Sequence, residues 1–183
     1  MSSIPDEVLE RARHIQLLLS DCDGVLTDGS LHYSATLEPV IEAVKVFHIH
    51  DGQGMRLARL AGLKLGIISG RESAALAARA REMSVDYLYQ GVADKLTVYE
   101  EIKKAEGLSD IQIAYIGDDL PDLATMKSAG LSVAVADAVP DIKACAHLTT
   151  KARGGRGAVR ETIELILKSQ DKWEDLISRF DLC

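Results

Sequence analysis

Two aspartates one residue apart, Asp21 and Asp23, end the run Ile15-Gln-Leu-Leu-Leu-Ser20, and Gly24 follows them. Neighbouring carboxylates are costly to hold as anions unless something positive stands between them, so the pair implies a metal, a shared proton, or both. An Asp/Gly turn after a strand is the plainer alternative for that stretch alone. Further charged residues follow later apolar runs. Ser69-Gly70-Arg71 sets a small hydroxyl and a glycine where a helix opens, which suits a phosphate and suits ordinary N-capping too. Asp94-Lys95 offers a point charge able to neutralise a phosphoryl group, although a solvated surface lysine would look the same. Gly117-Asp118-Asp119-Leu120-Pro121-Asp122 carries three acids within five residues, and a helix cap needs only one.

Taken together, the four clusters specify phosphoryl transfer. Asp21, Asp23 and Asp118 supply hard oxygen ligands for Mg²⁺, which joins proteins through few carboxylates plus a phosphate. Asp21 can attack phosphorus in line, while Lys95 and the backbone of Ser69 and Gly70 take up charge on the equatorial oxygens. Asp23 can protonate the leaving alcohol and then deprotonate the water that cleaves the acyl phosphate. The rivals from other classes are a phosphoacceptor receiver domain and a non-catalytic assembly or regulatory relative. A receiver also uses acids, a lysine and Mg²⁺, but has no need of Asp23 as an acid/base.

These residues must be held by strands and helices that alternate along the chain. Pro5 to Arg13 opens as an amphipathic helix and leads into the first strand. Further short apolar strands are expected at Leu63–Ser69, Asp86–Gln90, Gln112–Gly117, Leu131–Ala136 and His147–Thr149. Helices are expected from Asp51 to Ala61 and over Ser73–Met83, Ala93–Glu106, Leu120–Ala129, Asp141–Cys145 and Ala158–Lys168. This order predicts an α/β fold, a doubly wound and mostly parallel sheet, with each cluster at a strand's carboxyl end. Leu31–Tyr33 and Val44–His48 alternate apolar with polar, around a gap containing Pro39, and predict a β-hairpin inserted over residues 29–50. That insertion is too small for a lid or cap domain. At the far end, Trp173, Leu176, Ile177 and Phe180 fall at helical spacing in the tail of residues 170–183, where an isolated monomer would expose them.

Composition limits the reading. At 183 residues the chain reads as a single domain, and 47% hydrophobic with 4% aromatic residues predicts an aliphatic core. A net charge of −7 argues against nucleic acid or an acidic membrane as a partner. No stretch is apolar for long enough to cross a membrane, and no signal peptide is evident. Cys22, Cys145 and Cys183 show neither zinc spacing nor a disulfide framework, which favours a cytoplasmic setting, with Cys22 a small core residue.

Asp21-Cys-Asp-Gly-Val-Leu-Thr27, Ser69-Gly70, Lys95 and Gly117-Asp-Asp-x-x-Asp122 resemble, in order, the four motifs of the haloacid dehalogenase-like phosphohydrolases, over about Ile15 to Leu167. Within them the chain resembles the 3-deoxy-D-manno-octulosonate 8-phosphate phosphatases, which act in lipopolysaccharide precursor synthesis. The likeness rests on His48-Ile-His-Asp51-Gly-Gln-Gly54, Tyr89-Gln-Gly-x-x-Asp-Lys95, Tyr115-Ile-Gly-Asp-Asp-Leu-Pro-Asp122 and Gly154-Gly-Arg-Gly-Ala-Val-Arg-Glu161. The resemblance implies Mg²⁺ held by Asp21, the backbone carbonyl of Asp23 and Asp118, with Asp119 and Asp122 in support. It also implies a capless domain assembled as a homotetramer, in which hairpins join centrally and a neighbour's tail covers the site. In that setting Arg153 and Arg156, in a flexible glycine-rich segment, suit a sugar carboxylate or phosphate; a surface turn is the alternative. His50 stands where many relatives carry arginine. Arg71 matches the eight-carbon enzymes, whereas relatives acting on nine-carbon sialic-type sugar phosphates tend to carry glutamate there.

Overall fold

The structure, a computed structural model, describes residues 4–34 and 41–180. Helix α1 (Asp6–Arg13) leads into β1 (Leu17–Ser20), and a hairpin of β2 (His32–Ser34) and β3 (Ile41–Val44) follows. The chain then runs α2 (Ile49–Leu60), β4 (Lys64–Ile68), α3 (Ala74–Met83), β5 (Tyr87–Tyr89), α4 (Lys95–Glu106) and β6 (Ile113–Gly117). It finishes with α5 (Leu123–Ser128), β7 (Leu131–Ala134), α6 (Pro140–Cys145), β8 (Leu148–Thr149), α7 (Ala158–Ser169) and α8 (Trp173–Ser178).

Six strands form one parallel sheet in the order β5-β4-β1-β6-β7-β8. The first crossovers carry the chain from β1 outward to β4 and β5, and α4 then returns it across β1 to β6. The winding therefore reverses between β1 and β6, where the carboxyl ends of an open sheet leave a crevice for ligands. Helices cover both faces: α1, α2 and α3 associate with α7 or with one another on one side, and α4, α5 and α6 on the other. No cap domain interrupts the described residues, and no helix among them is long and apolar enough to cross a membrane.

The sheet is strong where the site needs it. β1 is buried along its whole length, and Leu17, Leu18 and Leu19 each contribute roughly 1.5–3 kcal/mol of burial. Ser20 pairs in register with Ile67 of β4 and Ile116 of β6, so Asp21 and Asp118 leave adjacent strands at the same rim. Caps fix the helices behind that rim: Ser73 Oγ accepts the Leu76 N–H at 3.3 Å, and Asp94 Oδ1 accepts the Leu96 N–H at 3.1 Å.

Several expectations need correction. The hairpin's second strand is Ile41–Val44 rather than Val44–His48, because His48 is taken as the N-cap of α2, its side chain accepting the His50 N–H. The gap residues 35–40, Pro39 among them, lie outside the described residues. Leu120–Asp122 is a 3₁₀ turn, not the opening of an α-helix, since Pro121 has no N–H to give and the Asp122 carboxylate binds the turn's own backbone. In the tail, Leu176 is buried and Trp173 packs against the core as α8 folds back on α7; of the four apolar residues only Phe180 is exposed, and that by about half.

Candidate active site

Four charged side chains converge at the reversal of winding. Asp21 follows β1, Asp118 follows β6, Asp122 closes the 3₁₀ turn, and Lys95 is the first residue of α4. Lys95 Nζ lies 2.8 Å from Asp21 Oδ1 and 2.7 Å from Asp122 Oδ1, with the ammonium almost wholly buried. Asp122 is saturated: Oδ1 also accepts the Tyr115 hydroxyl at 2.7 Å, and Oδ2 accepts the N–H groups of Asp118 at 3.0 Å and Asp119 at 3.4 Å. It is therefore an anchor that ties β6, the turn and α4 together. Asp119, by contrast, spends its carboxylate capping the turn at the Leu120 N–H, 2.7 Å away.

The electrostatics leave a shortage of positive charge. One carboxylate oxygen from each of Asp21, Asp118 and Asp122 lies within 4.8 Å of the others, yet among the described residues one ammonium, that of Lys95, pairs with them. Asp118 Oδ1 is buried without a partner, which is expensive for a carboxylate. Burial, then the charges of Asp21 and Asp122, push the Asp118 carboxyl up to about 8. Burial and Asp122 likewise raise Asp21 to about 6, although Lys95 opposes them. Burial would lower the Lys95 ammonium, but Asp21 and Asp122 outweigh it and hold its pKa above the ordinary lysine value. Burial followed by the nearby carboxylates raises Tyr115 far beyond titration, so it remains a donor. An orphaned carboxylate oxygen beside a second carboxylate is a donor set that fits a hard divalent cation.

Not every expected contributor joins this group. Asp23 turns its carboxylate to Lys45, whose side chain is buried, so the first strand delivers one carboxylate to the cluster rather than two. Gly24 explains the tightness: at φ +86°, it packs so closely that a Cβ there would sit 2.0 Å from Asp118 Oδ2. Ser69 is fully buried and its N–H is used by the Tyr89 carbonyl at 2.9 Å, so this amide is not offered to a ligand as the sequence suggested. Its hydroxyl donates to the Arg71 carbonyl at 3.1 Å and accepts the Arg71 N–H at 3.3 Å, closing the turn through Gly70.

The three arginines singled out in the sequence are all engaged. Arg71 donates to the Tyr33 hydroxyl of the hairpin at 2.9 Å, Arg153 pairs with Asp137 at 3.1 Å, and Arg156 with Asp28 at 3.2 Å. His50 turns toward His48, their rings meeting edge to face with centroids 4.8 Å apart. Sequence reasoning assigned no role to Lys45 or to the Tyr115 hydroxyl. The only signal for Lys45 was its polar place in an alternating stretch, and for Tyr115 a phenol in a strand that needs a buried partner.

Residues 68–161 match the model of the haloacid dehalogenase-like hydrolase family, a little over half of the chain. The chain belongs to the haloacid dehalogenase-like hydrolases. It is 43% identical over 171 residues to the 3-deoxy-D-manno-octulosonate 8-phosphate phosphatase of Yersinia pestis, covering 93% of this chain and 89% of that one. Among solved haloacid dehalogenase-like structures, that of the Moraxella catarrhalis octulosonate phosphatase in complex with magnesium, phosphate and a KDO molecule superposes with a TM-score of 0.91. Identity there is 38%, over 96% of this chain and 98% of that one. The cobalt-bound enzyme of Haemophilus influenzae superposes with a TM-score of 0.84 at 37% identity, over 88% of this chain and 92% of that one. All three are octulosonate 8-phosphate phosphatases, and the chain is similar to them over nearly its whole length.

Proposed function

We propose that the chain is a Mg²⁺-dependent phosphomonoesterase that hydrolyses 3-deoxy-D-manno-octulosonate 8-phosphate to the free sugar acid and phosphate. The observation that carries the reading is the buried Asp21–Lys95–Asp122 ion triad beside the unpartnered Asp118 oxygen, at the reversal of strand winding. The relatives of Yersinia pestis and Moraxella catarrhalis supply the substrate class.

Asp21, Asp118 and the backbone carbonyl of Asp23 would hold Mg²⁺, with Asp119 and Asp122 supporting them. When bound, that cation neutralises charge on the phosphoryl oxygens and on the attacking carboxylate. An Asp21 carboxylate oxygen forms a bond to phosphorus as the bond from phosphorus to the C8 oxygen breaks, giving a phosphoaspartate and an alkoxide. Asp23 delivers a proton to the alkoxide, then takes one from the water that attacks the phosphoaspartate, releasing inorganic phosphate and restoring Asp21. Lys95 steadies the Asp21 carboxylate and the phosphoryl charge. Ser69 and Gly70 shape the turn facing the phosphate, and Arg71, Arg153 and Arg156 stand as contacts for the sugar acid.

The chain works in this reading as a single catalytic domain of residues 1–183 in a homotetramer in the cytoplasm. Leu31, Tyr33, Val44 and Val46 are 43–55% exposed around the hairpin, an apolar surface suited to meeting its copies. Among the described residues Cys22 and Cys145 form no disulfide, which suits a reducing compartment.

The test is release of inorganic phosphate from eight-carbon and nine-carbon 2-keto sugar acid phosphates with Mg²⁺, compared by kcat/KM. Preference for the eight-carbon substrate is expected. Preference for the nine-carbon compound moves the assignment to the sialic-type phosphatases. Stoichiometric labelling without turnover makes the chain a phosphoacceptor, and no reaction at all makes it a non-catalytic relative. Light scattering of the eluting protein should give the mass of four chains.

A further inference from the structure

The segment from Ala152 to Gly157 reads as flexible in the sequence, but four carboxylates from separate parts of the chain hold it and its flanks. Asp137 Oδ1 accepts the Gly154 N–H at 2.9 Å and its other oxygen takes Arg153. Glu161 accepts the N–H groups of Lys151 and Ala152, both at 2.9 Å. Asp51, buried on α2, accepts those of Gly157 at 3.1 Å and Arg160 at 2.9 Å, and Asp28 takes Arg156. The Gly155 N–H then donates to the Val25 carbonyl at 2.8 Å, in the loop that follows the catalytic aspartates.

The contact made by this fastened segment leads to the cation site. A Cβ on Gly154 would sit 1.7 Å from the Gly24 carbonyl oxygen, 2.6 Å from the Gly24 carbonyl carbon and 3.2 Å from the Thr27 oxygen. Backbone atoms of this kind cannot swing aside as the end of a side chain can. Gly24 in turn lies against the Asp118 carboxylate, as the clash distance of 2.0 Å for a Cβ there shows. Three layers are thus stacked without an intervening side chain: Gly154, Gly24 and the Asp118 carboxylate. On its far side Asp118 is fixed by its own N–H to Asp122. Gly154 is not among the glycines at positive φ, so alanine there brings no backbone strain of its own, and its effect reports the contact alone.

We infer that Gly154 is a positioning residue for the cation site, setting the place of the Asp118 carboxylate through Gly24 without touching ion or substrate. The inference rests on the proposed cation site at Asp21 and Asp118. Groups that orient a ligand from behind change metal affinity by about ten- to a hundredfold when altered, and Gly154→Ala should weaken Mg²⁺ binding by that much. The measurement is calorimetric titration of metal-free protein with Mg²⁺ and no substrate, alongside the melting temperature in EDTA. Gly62→Ala is the control, since Gly62 has φ +81° with nothing within 4 Å of a Cβ; it should lose stability and keep its Mg²⁺ affinity. Folded Gly154→Ala with wild-type affinity overturns the inference. Should Gly154→Ala fail to fold, Asp137→Ala loosens the same segment from behind, and a severalfold loss of affinity supports the inference while an unchanged value overturns it. Wild-type protein that takes up no Mg²⁺ refutes the underlying cation site itself, a result separable from the other two.

Discussion

The two rims of the sheet differ in how their charge is balanced. At the amino rim lies a cavity of about 1030 Å³ whose lining includes Arg13, His14, Lys64, Glu106, Gln170 and Lys172. Three of its basic groups already have partners, since Arg13 and His14 share Glu10 and Lys64 pairs with Glu106, and Lys172 is exposed to solvent. The polar atoms left over there, Ser169 Oγ and Gln170 Oε1, are neutral, and a water can serve them. At the carboxyl rim the leftover atom belongs to a buried carboxylate, Asp118, already crowded by Asp21 and Asp122. Chemistry is therefore marked by unbalanced charge, and a roomy cavity is a poor guide to it.

Substitutions at the two rims test that contrast. Asp21→Asn removes the proposed nucleophile and should lower kcat by about 10⁴-fold or more, the usual scale for losing a nucleophile. Phosphate release within tenfold of wild type would end the phosphoaspartate mechanism. Asp23→Asn should cost about 10²–10⁴-fold through loss of proton transfer, and pre-steady-state labelling should catch slowed formation or breakdown of the phosphoenzyme. A near-normal rate would mean that the Lys45 pairing, not proton transfer, accounts for Asp23.

A subtler effect is expected from pH. Without metal, Asp21 and Asp118 are raised from 3.8 to about 6 and about 8, so the folded chain holds protons that the unfolded chain releases. Their contribution to stability is full below pH 3.8 and is lost as pH rises through about 6 and then about 8. Melting temperature in EDTA should therefore fall across that window, and Mg²⁺ should flatten the decline by favouring the ionised carboxylates. Identical profiles with and without Mg²⁺ would contradict a cation at this rim. The smallest effect is expected at the amino rim, where Lys64→Ala, which removes a half-exposed ammonium, should shift stability by about 1 kcal/mol and leave kcat unchanged.

What the sequence disclosed follows from the range of the forces involved. Alternating apolar runs and helical periods depend on neighbours a few residues apart, and β1, β4, β6 and β7 lie where those patterns put them, within two residues. Because strand ends face one rim in such a winding, Asp21, Lys95 and Asp118 were also legible as a group. Partners chosen across the fold were not. Nothing local tells that Asp23 would meet Lys45, or that the Ser69 amide would be spent on Tyr89 of the next strand. The segment around Gly154 looked loose because its glycines are visible in sequence, whereas the four acids that fasten it come from residues 28, 51, 137 and 161. For the tail, helical spacing was legible but the docking face of α7 was not.

Trp173 is the sole tryptophan, and its ring is flanked by the Arg160 guanidinium at 5.3 Å and the Lys168 ammonium at 4.9 Å, both on α7. Indole emission responds to nearby cations and to hydration, so the protein carries a built-in optical gauge of whether α8 is seated. Its fluorescence follows detachment of the tail without any label.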